Sequence, residues 1–386
     1  LHFGVAAPYH GAKPGGATRW PHLFGSLAQA DGAMKFGTFF FFQLAPGRDP
    51  VQVIHNELDQ MKWTEELGFD QMWITEHHFI EYGLSVDPPA IAAAAAARTE
   101  RIRIGLAAAI LPFHHPVRLA EQLALVDIMS KGRLDVGIGR GNRPMEFYGY
   151  QIPQVESRQR FDEIQKILVG LWTNEYFSFE GKHYQQPRVR MIPKPYQKPH
   201  PPLYTVCVGP DTIKETARAG MGMLNSVLYG PIDPLVGNRD LYAKTMQESG
   251  FTEAQIKDAL TKWGVSRHVY VAPTDAQAFE EAKEAELWYQ SALKRFLVPE
   301  RIEDAHPDLQ PAFKAMADRL SKVTWEDLKR ETLVFGSPDT VCRHMEAMQK
   351  IGVGQAMCWM NFGGLAQDKV RRSMELFSKE VMPNFR

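Results

Sequence analysis

From Met34 onward, short apolar runs alternate with longer amphipathic segments, and this alternation restricts the fold more than any other feature of the sequence. About eight runs are typical of β-strands: 35–42, 69–75, 102–110, 133–138, 203–208, 223–228, 266–271 and 355–361. Each precedes a segment with helical spacing of apolar residues: 51–67, 90–97, 117–129, 161–172, 212–219, 234–249, 275–296 and 368–381. Such strand–helix units in a chain of 386 residues predict an α/β fold, a single (β/α)8 barrel.

Two long polar stretches interrupt this alternation. Residues 176–202 are rich in proline and lie between the fourth and fifth units, whereas residues 298–330 form an insertion before the eighth strand. Irregular stretches of this length in a compact domain usually serve as lids or partner surfaces. We therefore expect residues 298–330 to close over the functional site.

The N-terminal stretch differs from the rest of the chain. Residues 1–33 are rich in Gly, Ala, Pro and His, show no strong period and lack the continuous apolar core of a secretory signal. We expect a leader, a tag or a disordered arm there, and one barrel domain over residues 34–386. An arm that packs on a partner is the alternative.

Composition excludes several classes of function. The 44 basic and 45 acidic residues are well mixed, whereas nucleic acid or an anionic membrane requires a basic patch. The three cysteines are far apart in the chain and indicate reduced thiols. No apolar run approaches the length that spans a membrane. These features favour a cytoplasmic protein with neither a nucleic-acid nor a membrane partner.

The residues directly after each strand are the candidates for function, because active sites of such barrels lie at the C-terminal ends of the strands. The second strand ends in Glu76, His77 and His78, and a histidine there can move a proton near neutral pH. These three residues and His115 could instead bind a metal. Adjacent histidines on an extended segment point in opposite directions, so we predict His77 as the catalytic residue and no metal site.

The fourth strand ends in a Gly-Arg-Gly turn at Arg140. A permanently charged guanidinium beside accessible backbone amides suits a bidentate contact with phosphate. A surface arginine that caps carbonyl groups is the alternative. The glycines at 137, 139 and 141 suggest a dinucleotide fingerprint, but that motif needs a glycine where this chain has Asn142. We therefore reject the fingerprint and keep the phosphate contact.

A second candidate phosphate contact lies where the fifth strand runs into its helix. Exposed amides at a helix N-terminus favour an anion, and we expect Asp211 or Thr212 to cap this helix. An ordinary capped helix with nothing bound is the alternative.

Several segments, in order along the chain, resemble the larger subunit of bacterial luciferase. Residues 76–79 match its Glu-His-His-Phe segment, residues 105–118 match its third unit, and residues 127–133 with 137–141 match its fourth. Residues 335–338 and 381–383 match as well. The chain is thus similar to the luciferase-like flavin-dependent monooxygenases. The resemblance implies a (β/α)8 barrel that uses reduced FMN, and it does not specify the substrate.

The resemblance also implies roles for individual residues. His77 would support the adduct of reduced flavin and oxygen. A non-proline cis peptide between Ala107 and Ala108 would lie beneath the flavin ring, although alanines in a strand are also typical of a tight core. The family's remaining cofactor contacts fall on Arg140, Glu146, Arg158, Val208, Gly209 and Thr212.

The chain departs from the luciferase subunit at Gly139, where that subunit has a cysteine. This departure argues against light emission. Loss of the side chain also suggests a wider pocket beside the flavin and a substrate bulkier than a linear aldehyde.

The activity implied by the resemblance is that of a two-component monooxygenase. Reduced FMN, supplied by a separate flavin reductase, would react with O2 to form a C4a-peroxyflavin that oxygenates a small organic substrate by hydroxylation or Baeyer–Villiger insertion. The resemblance also implies a dimer, which we expect to be a homodimer. Three alternatives remain: a deazaflavin-dependent oxidoreductase on the same barrel, a non-catalytic luciferase-like subunit, and a metal hydrolase.

Overall fold

Parallel strands form the centre of the molecule. The structure, a computed structural model, describes residues 33–227, 230–299, 301–304 and 307–386, so the expected N-terminal leader lies, except for Ala33, outside the described residues. The strands in chain order are β1 (Lys35–Phe40), β2 (Gln71–Ile74), β3 (Arg103–Ile110), β4 (Leu134–Gly139), β5 (Phe177–Glu180), β6 (Gln185–Val189), β7 (Leu203–Val206), β8 (Gly222–Ser226), β9 (Gly264–Val271), β10 (Val334–Gly336) and β11 (Gln355–Trp359).

Eight of these strands close into a barrel. The order is β1-β2-β3-β4-β7-β8-β9-β11, every pairing is parallel, and β11 returns to β1 with Gln355 opposite Lys35. The predicted (β/α)8 barrel is therefore confirmed. β10 is an additional strand that pairs with the far end of β9, and the proline-rich stretch before β7 forms the antiparallel hairpin of β5 and β6.

Helices surround the barrel. In chain order they are α1 (Pro50–Glu66), α2 (Pro88–Arg98), α3 (Pro116–Met129), α4 (Pro144–Gly149), α5 (Ser157–Thr173), α6 (Pro210–Arg218), α7 (Pro234–Glu248), α8 (Glu253–Thr261), α9 (Asp275–Leu297), α10 (Gln310–Ser321), α11 (Pro338–Lys350) and α12 (Gln367–Leu376). Proline occupies the first turn of most of them, where its missing N–H costs no helical hydrogen bond. Within the described ranges, none combines the length and apolar character needed to cross a bilayer.

Large side chains fill the barrel interior because small residues face them. The ring of Trp73 occupies the space where a Cβ of Gly105 would lie, so any larger residue there would overlap the indole. Towards the N-terminal ends of the strands, the Arg103 guanidinium pairs with the Asp135 carboxylate at 2.6 Å. This end of the barrel is thus packed, and active sites of such barrels lie at the opposite end, where the strands have their C-termini.

The helix of the seventh unit differs from the prediction. We expected residues 275–296 to be that helix, but α11, which we did not predict, takes this position and packs Val341, Met345 and Met348 inward. α9 instead runs across the C-terminal ends of the strands, where Phe296 reaches His77. The insertion therefore begins at the end of β9 and includes α9, α10 and the π-helical turn Leu328–Thr332.

Candidate active site

The His77 side chain lies at the C-terminal end of β2, beside a buried carboxylate. Its Nδ1 is 3.4 Å from Oε1 of Glu146, and only 17% of the His77 side chain is exposed. The same carboxylate oxygen accepts a hydrogen bond from the backbone N–H of His78 at 3.1 Å. Glu146 lies on α4, so the short helix after β4 brings to His77 the carboxylate that the resemblance had implied near the flavin.

Glu76 connects three neighbours behind His77. One oxygen accepts a hydrogen bond from the Ile110 N–H at 2.8 Å, and the imidazoles of His78 and His114 lie at 2.9 Å. Burial raises the pKa of Glu76, but the charge and hydrogen bond of His114, together with the other two hydrogen bonds, lower it more, so the pKa lies below its ordinary value. Burial lowers the pKa of His114, and the Glu76 charge outweighs this and raises it.

Aromatic rings enclose His77 on the other side. We call Phe41, Tyr82, Tyr289, Phe296 and Trp359 the aromatic wall. The His77 ring stacks on Phe41 with centroids 5.5 Å apart and meets Phe296 edge-on at 4.8 Å. Phe41 in turn stacks on Trp359 at 3.6 Å, and Tyr82 stacks on Phe296 at 4.3 Å. This wall combines residues from β11, α9 and the segments after β1 and β2. It gives an apolar side to the mouth of the barrel, by which we mean the opening at the C-terminal ends of its strands.

The peptide bond between Ala107 and Ala108 is cis, as the resemblance implied. It lies in β3, opposite the end of β4. The wider pocket inferred from Gly139 is wrong, because a Cβ at Gly139 would come within 2.9 Å of the Ile110 side chain and 3.3 Å of the Ala108 methyl group. Ile110 and Ala108 therefore occupy the space that a side chain at position 139 would need.

Two arginines lie together beyond the end of β4. Arg158, at the start of α5, pairs with Asp162 at 3.2 Å and with Glu215 on α6. Arg140 is half-buried and forms no ion pair with any residue that the structure describes. Burial, followed by the charge of Arg158, lowers the pKa of Arg140. Two adjacent guanidinium groups with one of them unpaired form a suitable environment for an anion.

The N-terminus of α6 lies beside this arginine pair, because Glu215 belongs to its second turn. The expected cap at Asp211 or Thr212 is wrong: the helix begins at Pro210, and Gly209 is the N-cap, without a side-chain hydrogen bond. In the described part of the chain, no side chain therefore caps the first amides of this helix, as an anion contact requires. Val208, just before the cap, is 65% exposed.

The candidate metal ligands do not converge. Within the described ranges, no group of three or more His, Cys, Asp or Glu side chains is arranged to hold a metal ion. The His77 imidazole faces Glu146, whereas His78 faces Glu76 and accepts or donates a second hydrogen bond with the Tyr150 hydroxyl at 3.1 Å. His115 is the N-cap residue of α3.

Several residues of the mouth were not predicted from the sequence. Arg143 places its guanidinium 4.3 Å above the ring of Phe296, and His268 on β9 lies 2.6 Å from Glu286 on α9. Arg143 was detectable in principle, because it follows β4 closely. Glu286 and Phe296 were not, because their helical pattern is the same whether the helix packs outside the barrel or across its mouth.

Comparison with known proteins identifies related sequences. A family model described as luciferase-like monooxygenase matches residues 34–355. The oxygenase component of a flavin-dependent trigonelline monooxygenase from Acinetobacter baylyi is 24% identical over 91% of this chain and 96% of its own length. The alkanal monooxygenase alpha chain of Photorhabdus luminescens is 26% identical, with 91% and 96% covered.

Solved structures share the fold. The monooxygenase RslO1 from Streptomyces bottropensis superimposes with a TM-score of 0.77 at 28% identity, covering 92% of this chain and 100% of its own. The oxygenating constituent of 3,6-diketocamphane monooxygenase from Pseudomonas putida, solved with FMN, gives a TM-score of 0.76 at 23% identity, with 92% and 99% covered. An F420-dependent secondary alcohol dehydrogenase gives 0.68 at 18% identity, with 92% and 100% covered.

Proposed function

Since the chain belongs to the luciferase-like monooxygenase family, we propose that it is the oxygenase component of a two-component monooxygenase that uses reduced FMN and O2 to oxygenate a small organic substrate. The observation that supports this best is the juxtaposition of His77 and Glu146 within one barrel mouth that also carries Arg140, which has no ion pair among the described residues. A non-catalytic subunit would have no need of this combination.

The residues present fit FMN at both of its ends. Arg140, Arg158 and the uncapped N-terminus of α6 would hold the phosphate, with the Thr212 hydroxyl and the amides near Val208 and Gly209 as further contacts. The small side chains of Ala107 and Ala108 would let a flat ring approach the backbone of β3 closely. When bound, reduced FMN supplies the electrons that activate O2.

The chain's own residues would control protons and water. His77 can hold or transfer a proton at Nε2, because its Nδ1 is directed at Glu146. The aromatic wall excludes water from the side of the mouth that adjoins His77, and dryness matters because it limits the loss of activated oxygen as hydrogen peroxide. Phe296 on α9 contributes to this exclusion, so α9 would be part of the lid that was expected from the insertion before the eighth strand.

The test is an anaerobic titration of the protein with reduced FMN and, separately, with a reduced deazaflavin. Oxygen is then admitted, and flavin reoxidation and hydrogen peroxide are followed with time. We expect tighter binding of reduced FMN and a slower return of flavin absorbance than for free flavin. Binding of the deazaflavin alone would favour a hydride-transferring enzyme, and binding of neither would favour a non-catalytic subunit.

The proposal extends to partners. A separate flavin reductase would supply reduced FMN by diffusion or transient contact, in the cytoplasm. A homodimer is proposed because Leu125 and Met129 on α3 are 52% and 44% exposed, together with Val51 and Ile54 on α1. Light scattering on the purified protein would give the mass, and a monomer would contradict this part.

A further inference from the structure

His268 has one ring nitrogen without a hydrogen-bond partner in the described structure. Its Nδ1 lies 2.6 Å from Oε2 of Glu286, whereas its Nε2 is fully buried and has neither a donor nor an acceptor among the described residues. The residue as a whole is 8% exposed. Buried polar atoms in folded proteins are nearly always hydrogen-bonded, so an orphaned atom indicates a partner that is not part of the chain.

The His268 side chain belongs to the inner face of the barrel. Along β9 it shares a face with Gly264, because side chains two or four residues apart point the same way. A Cβ at Gly264 would lie near Leu224 of β8, and Leu224 also lies near the Cβ position of Gly137 on β4, which is not adjacent to β8. Leu224 therefore crosses the barrel interior, and Gly264 and His268 face it.

Ring contacts connect His268 to the aromatic wall beside His77. The His268 ring meets Trp359 edge-on at 4.4 Å and Tyr289 at 4.3 Å, and it stacks on Phe362 at 4.8 Å. Trp359 continues through Phe41 to His77 by the stacking described above. His268 thus lies at the end of the wall farthest from His77, at the same C-terminal level of the barrel, since it is paired in register with Trp359.

Glu286, on the helix α9 that crosses the mouth, holds this histidine in place. The carboxylate accepts the Nδ1–H of His268 with one oxygen and a hydrogen bond from the Gln290 amide, at 2.6 Å, with the other. A carboxylate on Nδ1 fixes the orientation of an imidazole and directs its Nε2 toward a ligand. Because Glu286 lies on α9, the insertion that covers the mouth also orients His268.

We propose that Nε2 of His268 hydrogen-bonds an oxygen atom of the organic substrate, so that this enzyme selects substrates with a hydroxyl or carbonyl group on an apolar skeleton that packs along the aromatic wall. His268 is then a substrate-binding residue, and Glu286 is its positioning residue. The inference rests on the proposed function, which it deepens by naming the chemical class of the substrate.

Three compounds on one bicyclic skeleton test the proposal: 2-tetralone, 5,6,7,8-tetrahydro-2-naphthol and tetralin. Their affinities for the protein, free and loaded with oxidised FMN, are measured by tryptophan fluorescence and by the Nε2 resonance of ¹⁵N-histidine, assigned by its absence in His268→Phe. That variant keeps a ring against Phe362 and Trp359 but loses both nitrogens. The control is His344→Phe, the same change on α11, outside the mouth.

We expect the wild type and His344→Phe to bind at least one oxygenated compound about tenfold or more tightly than tetralin, and the Nε2 resonance to shift only with that compound. His268→Phe should bind all three about as weakly as tetralin. Retention of the preference in His268→Phe, or equal or undetectable binding of all three by the wild type, would overturn the proposal and leave an ordered water as the partner of Nε2.

The positioning role of Glu286 has a separate readout. Glu286→Gln keeps a hydrogen-bonding group of the same length, whereas Glu286→Leu removes it. We expect the preference for the oxygenated compound to fall in Glu286→Leu and to recover largely in Glu286→Gln, with unchanged affinity for tetralin. Equal loss in both variants, tetralin included, would overturn the positioning role. The proposed function fails separately, if reduced FMN does not bind while the ligand preference persists.

Discussion

Two groups just after β2 contact Oε1 of Glu146: the backbone N–H of His78 donates a hydrogen bond at 3.1 Å, and Nδ1 of His77 lies at 3.4 Å. The carboxylate thereby holds both the backbone and the ring of this segment. Since α4 carries Glu146 and follows directly on the loop that contains Arg140, the turn after β4 would serve both the proposed phosphate contact and the proposed proton-transferring residue.

Replacing His77 tests the proton-transferring role. In His77→Asn, the rate of product formation should fall by about 10²–10⁴-fold, the range typical of general acid–base groups, while reduced FMN still binds. Product formation should fall less in Glu146→Gln, because the amide oxygen can still accept the hydrogen bond from the His78 N–H. The measurement is oxygenated product against hydrogen peroxide. His200→Asn, a histidine beside Trp172 and away from the mouth, is the control, and undiminished product from His77→Asn would contradict the role.

Replacing Arg140 tests the phosphate contact. In Arg140→Gln, the affinity for reduced FMN should fall by about 10- to 100-fold, because a charge-assisted hydrogen bond contributes about 1.5–3 kcal/mol. The affinity for reduced riboflavin, which has no phosphate, should not change. Arg158→Gln should lower the affinity for reduced FMN less, since Arg158 already pairs with Asp162 and Glu215. Equal losses for FMN and riboflavin would show that Arg140 does not contact the phosphate.

Replacing Phe296, on the helix α9 that crosses the mouth, tests water exclusion. Phe296→Ala removes the ring that contacts His77, Tyr82 and the Arg143 guanidinium, so hydrogen peroxide release per flavin oxidised should rise several-fold at the expense of product. Phe279→Ala is the matched control, because Phe279 lies on the same helix but packs against Trp325 and Phe335. Similar peroxide release from both variants would remove the specific role of Phe296. Deleting residues 298–330 should also raise hydrogen peroxide release per flavin oxidised.

Glu57 makes stability depend on pH. Burial raises its pKa from 4.5 to about 8, against the hydrogen bonds from the Phe42 backbone and from Asn361. The folded protein therefore binds this proton more tightly than the unfolded chain. The contribution of Glu57 to the free energy of unfolding is fully present below pH 4.5 and is lost as the pH rises toward 8. At about 1.4 kcal/mol per pKa unit, the loss is on the order of 5 kcal/mol as an upper value.

Glu57→Gln should flatten this dependence, because the amide does not ionise and can still accept from Asn361. The measurement is the free energy of unfolding by urea at about pH 5, 6.5 and 8. Glu66→Gln is the control, since that residue lies exposed at the end of the same helix, paired with Lys62. An equal decline of stability with pH in the wild type and in Glu57→Gln would contradict the buried proton.

Much of the fold and part of the site could be predicted from local pattern. Each of the eight predicted barrel strands is present, because runs buried on both faces are apolar wherever they occur. His77 and Arg140 were predictable because each directly follows a strand, and in a barrel that position is the mouth. Glu146 entered only through resemblance, and its contact with His77 depends on how the turn after β4 folds back.

Other features have no local signal. The helical pattern of α9 is compatible with either side of a barrel wall, so we predicted this helix outside the barrel, whereas it crosses the mouth. The filled space at Gly139 depends on the Ile110 side chain of another strand, and the pairing of His268 with Glu286 depends on where α9 lies.

The sequence by itself determined the barrel and the mouth as the predicted place of function, because burial pattern and strand-end position are properties of neighbouring residues. Only the tertiary structure decided which side chains meet there: Glu146 with His77, Phe296 above it, and Glu286 behind His268. These contacts join segments far apart in the chain, and their distances depend on packing that no single segment encodes.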